Sequence, residues 1–218
     1  MGLLSVRAHC LLRIDPACTV RGETGSPPGW VTERLRRTPW VVVRRARACN
    51  GLLPVGVRGP TRAERFAGWL PPGGVLACVT PLQLAARRDW QGLARRAQVA
   101  ALAALDQVEA IMARASLAAR WGPAGSVAFE LASGCPTATP VSDVDLVLEL
   151  DAPLDVEAAA ALYGELLQLP ARADLLLETP RGALALAEYA RGRAPLLVRT
   201  AEGPRLLHDP WAGAVAAD

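Results

Sequence analysis

The chain has 218 residues, of which 51% are hydrophobic and 21% charged, enough for one large or two small domains at roughly 100–200 residues each and inconsistent with disorder. Every one of the 24 basic residues is Arg, and against 21 carboxylates they leave a net charge of +3, too small an excess for a protein that coats nucleic acid. No run approaches the roughly 20 apolar residues of a membrane span, and Arg7 and Arg13 interrupt the apolar N-terminus with no small-residue cleavage site after them, so no secretory leader is expected. The five cysteines lack any CxxC pair, which argues against a zinc site and a disulfide framework and for buried free thiols in a reducing cytoplasm.

In chain order, residues 21–39 read as loop, punctuated by Gly25-Ser26-Pro27-Pro28-Gly29. Val41-Val42-Val43 is a β-branched strand, Asn50-Gly51 a tight turn, and Leu53 to Val57 the return strand. Thr61 is placed to cap a helix running to Leu70, which Pro71-Pro72-Gly73-Gly74 stops before a strand from Val75 to Val79. From Asp89 to Ala119, Leu93, Ala97, Ala100, Ala104, Val108 and Ile111 recur at helical spacing, predicting one long helix. Val127 to Leu131 alternates as a strand does, Val144 to Leu150 is a strong strand, residues 155–168 an Ala/Leu-rich helix, and Ala173 to Glu178 another strand. Thr179-Pro180 is patterned as the start of a helix ending near Gly192. Leu196 to Thr200 and Arg205 to Leu207 form a final hairpin. The expected fold class is α+β, with a small N-terminal α+β domain over residues 1–85 and a mixed-sheet domain with helices over 86–218.

The chemistry concentrates in Ser142-Asp143-Val144-Asp145-Leu146. Side chains two apart on a strand share a face, so Asp143 and Asp145 crowd two negative charges together. Such a pair is either solvated at an edge or neutralised by a cation, and hard Mg²⁺ with oxygen ligands suits a phosphate substrate. Upstream, Gly125-Ser126 forms a small turn that lets backbone N–H groups approach phosphate oxygens. Downstream, Asp174 and Glu178 share a face of an otherwise apolar strand, and either can supply a third carboxylate. Arg58, with Arg62 and Arg65 three apart on the expected helix, forms a candidate phosphate-binding cluster. Arg199 and Thr200 are candidates for contacts to the donor. Arg36-Arg37, Arg44-Arg45, Arg87-Arg88 and Arg95-Arg96 read as solvated faces, and Ser142 as a residue that orients a carboxylate.

The order of Gly-Ser, Asp-x-Asp and a third strand carboxylate resembles the nucleotidyltransferase superfamily that includes DNA polymerase β. The stretches Pro54-Val55-Gly56-Val57-Arg58-Gly59, GSVAFELASG (125–134), TPVSDVDLVL (139–148), ADLLLETPRGALALAEYAR (173–191), LLVRT (196–200) and DPW (209–211) are more specific. Together they resemble the phosphoribosyl-dephospho-CoA transferases, the holo-acyl-carrier-protein synthases of malonate decarboxylase, over most of the chain. The resemblance implies a polymerase β-type catalytic domain. It also implies a donor, 2′-(5″-triphosphoribosyl)-3′-dephospho-CoA, and an acceptor serine on the apo acyl-carrier subunit of malonate decarboxylase, with release of pyrophosphate. Asp143, Asp145 and Asp174 then hold Mg²⁺, while Gly125, Ser126, Arg58, Arg62, Arg199 and Thr200 bind substrate. Another Mg²⁺-dependent nucleotidyltransferase with a different acceptor, or a non-catalytic docking subunit of the same fold, are the alternatives.

Overall fold

A computed structural model describes residues 6–22, 25–59, 61 and 64–212. The chain divides into two compact units, Met1–Thr80 with Ala132–Cys135, and Pro81–Leu131 with Pro136–Asp218.

The first unit contains β1 (Leu11–Ile14), β2 (Arg21–Gly22), α1 (Gly29–Arg37), β3 (Trp40–Val43), β4 (Leu53–Arg58), β5 (Arg65–Leu70) and β6 (Val75–Val79). Its sheet has the order β2-β5-β4-β3-β1-β6 and every pairing is antiparallel. Alternate residues Leu12, Ile14, Val41, Val43, Val55 and Val57 face one apolar core, as the period of two requires. Asn50 and Gly51 take positive φ values of 51° and 73°, the backbone of the twist-matched hairpin turn expected for Asn-Gly.

Two expectations are corrected here. Residues 21–39 are not all loop, because α1 starts directly after Pro28; Val31 is its buried anchor, and Glu33 pairs with Arg37 one turn on. Residues 64–70 are not a helix. From Arg65 the chain is strand β5, paired residue for residue with β4 from Arg58↔Arg65 to Leu53↔Leu70. Phe66 and Trp69 favour a strand, and Gly68 weakens a helix; a Cβ on Gly68 would lie 2.6 Å from the Arg21 carbonyl oxygen. The Thr61 N–H and hydroxyl donate to Glu64 Oε2 at 2.9 and 2.8 Å, closing a turn rather than capping a helix.

The second unit opens with α2 (Pro81–Arg87), then α3 (Ala100–Ala103), α4 (Leu105–Arg114), β7 (Trp121–Pro123), α5 (Gly125–Ser133), β8 (Val144–Glu149), α6 (Val156–Leu166), β9 (Ala173–Thr179), β10 (Gly182–Ala185), α7 (Leu186–Tyr189), β11 (Leu196–Thr200) and β12 (Gly203–Leu207). Its sheet has the order β12-β11-β10-β9-β8-β7. Only β8 and β9 are parallel, and α6 makes the crossover that parallel strands need. Asp155 caps α6, its carboxylate accepting the N–H groups of Glu157 and Ala158 at 2.9 and 3.0 Å. Val144, Leu146 and Leu148 of β8 pack with Leu177, Val198, Leu162, Leu105, Val108 and Met112. Both units combine helices with mixed or antiparallel sheets, so the fold class is α+β. Among the described residues, no helix is long and apolar enough to cross a membrane.

Three further expectations change. The single helix over 89–119 is broken into 3₁₀ turns at Asp89–Gly92 and Arg96–Gln98, an extended Val99, then α3 and α4. Trp90 explains the break: it is fully buried and donates its indole N–H to Asp106 at 2.8 Å, which a straight helix would not allow. Residues 127–131 lie within α5, not on a strand. Thr179-Pro180 does not open a helix either; β9 turns at Pro180-Arg181 into β10, with the Thr179 hydroxyl donating to the Gly182 carbonyl at 2.9 Å.

Candidate active site

The site is built on the register of the two parallel strands. Asp145 lies directly opposite Asp174, and Glu149 opposite Glu178. Val144, Leu146 and Leu148 face the core, so Asp145 and Glu149 occupy the other face, and Asp143 precedes Asp145 by two residues on that same side. The ladder continues beyond the strand through the Val144 N–H donating to the Arg172 carbonyl at 2.8 Å. Asp143 and Asp145 are half-buried, and Asp174 is exposed. Glu178 lies four residues further along β9, roughly 13 Å from Asp174 at the usual rise per residue.

Gly125 and Ser126 meet Asp145 through β7. Pro123 pairs with Leu146, and the Ala124 N–H donates to the Asp145 carbonyl at 2.7 Å, which seats the first turn of α5 beside the acidic side chain. Gly125 has φ +60°, and a Cβ there would lie 1.9 Å from Asp145 Oδ2. Glycine is therefore the residue this contact admits. The positive end of α5 stands against a carboxylate, a favourable pairing, and its first-turn N–H groups are the donors a phosphate would use. Ser126 is buried.

Two charged residues carry no mark in the sequence pattern: Arg172, next to Asp174, and Glu130 on α5. The Arg172 guanidinium donates to Asp174 Oδ1 at 3.2 Å, with both side chains at least half exposed. Parity alone relates Arg172 to the site, since it precedes Asp174 by two residues. Glu130, only 4% exposed on α5, accepts the N–H groups of Thr137 and Ala138 at 2.9 Å each, and Arg95 Nη1 at 3.2 Å to both its oxygens. Arg95 is thus no solvated residue, and Arg96 pairs with Asp106; the Arg95-Arg96 expectation is corrected. Nothing in the period-two pattern assigned to 127–131 marked Glu130 as buried.

Within the C-terminal unit, Arg199 and Thr200 are not brought to the Asp145–Asp174 pair. Arg58 belongs to the N-terminal unit, where its strand neighbour is Arg65; Arg62 lies outside the described residues. Arg199 is exposed on β11 at the level of Ala183, hence of Glu178 rather than Asp174. The Thr200 hydroxyl is engaged in the β11–β12 turn, donating to the Gly203 carbonyl at 2.8 Å.

The donor chemistry fits a hard divalent cation, since oxygen-only carboxylate ligands on one strand face are what Mg²⁺ takes. In this conformation, among the described residues, no three His, Cys, Asp or Glu side chains converge on a point where a metal ion could sit; Asp174 is turned to Arg172 instead. Asp143 and Asp145 are carboxylates that could take such an ion, and Asp174 stands opposite Asp145 in the strand register.

Residues 7–81 match the phosphoribosyl-dephospho-CoA transferase MdcG N-terminal domain, and residues 83–210 the C-terminal domain of the same family. The chain belongs to the phosphoribosyl-dephospho-CoA transferase family. It is an enzyme of the transferase class. The phosphoribosyl-dephospho-CoA transferase of Azotobacter vinelandii is 41% identical over 185 residues, covering 84% of this chain and 85% of the relative. That of Klebsiella pneumoniae strain 342 is 39% identical over 206 residues, covering 94% and 96%. That of Pseudomonas aeruginosa is 39% identical over 184 residues, covering 84% and 85%. No solved structure matches significantly.

Proposed function

We propose that this transferase moves the phosphoribosyl-dephospho-CoA group from 2′-(5″-triphosphoribosyl)-3′-dephospho-CoA to a serine of the apo acyl-carrier subunit of malonate decarboxylase, in a nucleotidyltransferase-type reaction. The observation that carries the reading is the register of Asp145 against Asp174, with Asp143 on the same face and Gly125 packed on Asp145. The serine oxygen forms a bond to the α-phosphorus, the bond from that phosphorus to the bridging oxygen breaks, and pyrophosphate leaves.

Asp143, Asp145 and Asp174 would hold Mg²⁺ in this reading. When bound, the ion supplies neutralisation of phosphate charge and a fixed in-line geometry. Gly125 and Ser126 place the first N–H groups of α5 against the donor phosphates, where no side chain at 125 intrudes. Asp174, released from Arg172, takes the serine proton on a carboxylate oxygen. Arg172 is then free to face a phosphate, for which a guanidinium is suited. Arg199 is too far along the sheet to touch the reacting phosphorus and is assigned to the remote part of the elongated donor. Thr200 holds the turn that presents it. Arg58 and Arg62 are assigned to phosphate or carrier contacts from the N-terminal unit. The five free cysteines suit a reducing, cytoplasmic setting.

Intact mass spectrometry of the apo acyl-carrier subunit tests this directly. Incubation with the protein, Mg²⁺ and the triphosphoribosyl donor is expected to add the phosphoribosyl-dephospho-CoA mass, and EDTA or Asp145→Asn is expected to prevent it. Donor binding without transfer to that subunit would assign the site to a different acceptor.

A further inference from the structure

Glu130 has no part in the reaction just described, yet its carboxylate is bonded from several directions inside the C-terminal unit. Arg95 Nη1 bridges its two oxygens, the amides of Thr137 and Ala138 both donate to Oε2, and Arg95 Nη2 donates to the Ala138 carbonyl at 2.8 Å. The Thr137 hydroxyl donates to the Ser126 carbonyl, also at 2.8 Å. A buried charge is retained only when it is paired and fully hydrogen-bonded, and here every partner but Arg95 belongs to one short segment.

That segment, residues 134–142, has no helix or strand and runs straight into Asp143. Its second half is fixed by its own bonds, with the Thr139 N–H donating to Ser142 Oγ at 2.9 Å and the Ser142 N–H to the Thr139 carbonyl at 3.0 Å. The Glu130 and Ser126 bonds tie the first half to α5, the helix that starts at Gly125. Glu130, with the Thr137 hydroxyl beside it, thus connects the helix that would receive the phosphates to the loop that delivers the acidic pair.

We infer that Glu130 is a positioning residue for group transfer: through Thr137 and Ala138 it sets the distance between the Gly125-Ser126 turn and Asp143. Its charge is the functional feature, because a neutral residue of the same shape cannot hold two amide N–H groups and a guanidinium together. The inference rests on the transferase reading for its rate consequence and on the fold alone for its structural one.

Glu130→Gln separates the two. Without any substrate, backbone amide exchange over residues 136–143 is expected to accelerate about tenfold or more, as for the loss of one or two hydrogen bonds, while Leu105–Arg114 is unchanged. In the transfer assay, kcat is expected to fall about ten- to a hundredfold with the donor KM little altered, the signature of misplacement by less than an ångström or so. Arg95→Lys keeps the charge, loses the fork, and is expected to give a smaller change in the same two readouts; it decides the matter if Glu130→Gln does not fold. A lowered melting temperature with unaltered kcat per folded molecule and unaltered local exchange would overturn the inference. If the wild-type protein transfers nothing, the transferase reading fails by itself and the exchange data still decide the clamp.

Discussion

Asp145 on β8 and Asp174 on β9 stand directly opposite one another in a parallel register, although 28 intervening residues separate them in the chain. The crossover helix α6 makes this pairing possible, and the same register aligns Glu178 with Glu149 instead. The two acidic residues of β9 therefore differ in what they can reach, despite sharing a face.

Asp174→Asn is accordingly expected to lower transfer by about a hundredfold or more, the range of a lost general base, whereas Glu178→Gln is expected to stay near wild type. Single-turnover transfer measured at saturating donor checks both. Equal losses in the two variants would contradict the register argument.

Gly125→Ala should act twice. The left-handed φ of +60° costs an alanine about 1–2 kcal/mol, and its methyl would collide with Asp145 Oδ2. The expected outcome is a modest fall in melting temperature together with a loss of transfer far larger than the stability change explains. Thermal denaturation and the mass assay on the same preparation separate the two effects.

Arg172 neutralises Asp174 where the proposed cation would otherwise do so. Arg172→Ala is expected to lower the Mg²⁺ concentration at half-maximal transfer, by at most about fivefold because the pair is largely exposed and such pairs are weak. At saturating Mg²⁺, kcat is expected to fall if the guanidinium also contacts phosphate. An unchanged Mg²⁺ titration would show that Arg172 does not compete for Asp174.

The cysteines give a check on the N-terminal unit. Cys10 is buried, and the hydrogen bond that the Cys78 thiol shares with Cys10, together with burial, pushes Cys78 far above the usual range; burial also raises Cys18. Cys49 is exposed, which corrects the expectation that all the thiols are buried. Native iodoacetamide labelling followed by peptide mass spectrometry is expected to modify Cys49 first, and Cys10 and Cys78 only after unfolding. Rapid native labelling of Cys78 would contradict this arrangement.

The sequence by itself determined the strands on which the site is built. Val144 to Leu150 and Ala173 to Glu178 are largely apolar runs of strand length, and the Asp-x-Asp spacing put both carboxylates on one face before any pairing was known. The Asn50-Gly51 turn, the 155–168 helix and the terminal hairpin were legible for the same local reasons. What only the tertiary structure decided is whatever depends on partners distant in the chain. Period-two and period-3.6 readings conflict over Val127–Leu131, and packing resolved them to helix α5. Residues 65–70 became a strand because β4 offered a full ladder, which outweighs a good capping threonine. Residues 89–99 bend because burying Trp90 against the core gains more than continuing a helix. The pairing of Asp145 with Asp174 and the hydrogen bonds that gather around Glu130 belong to this second group: register and long-range charge pairing follow from the fold, and no local pattern encodes them.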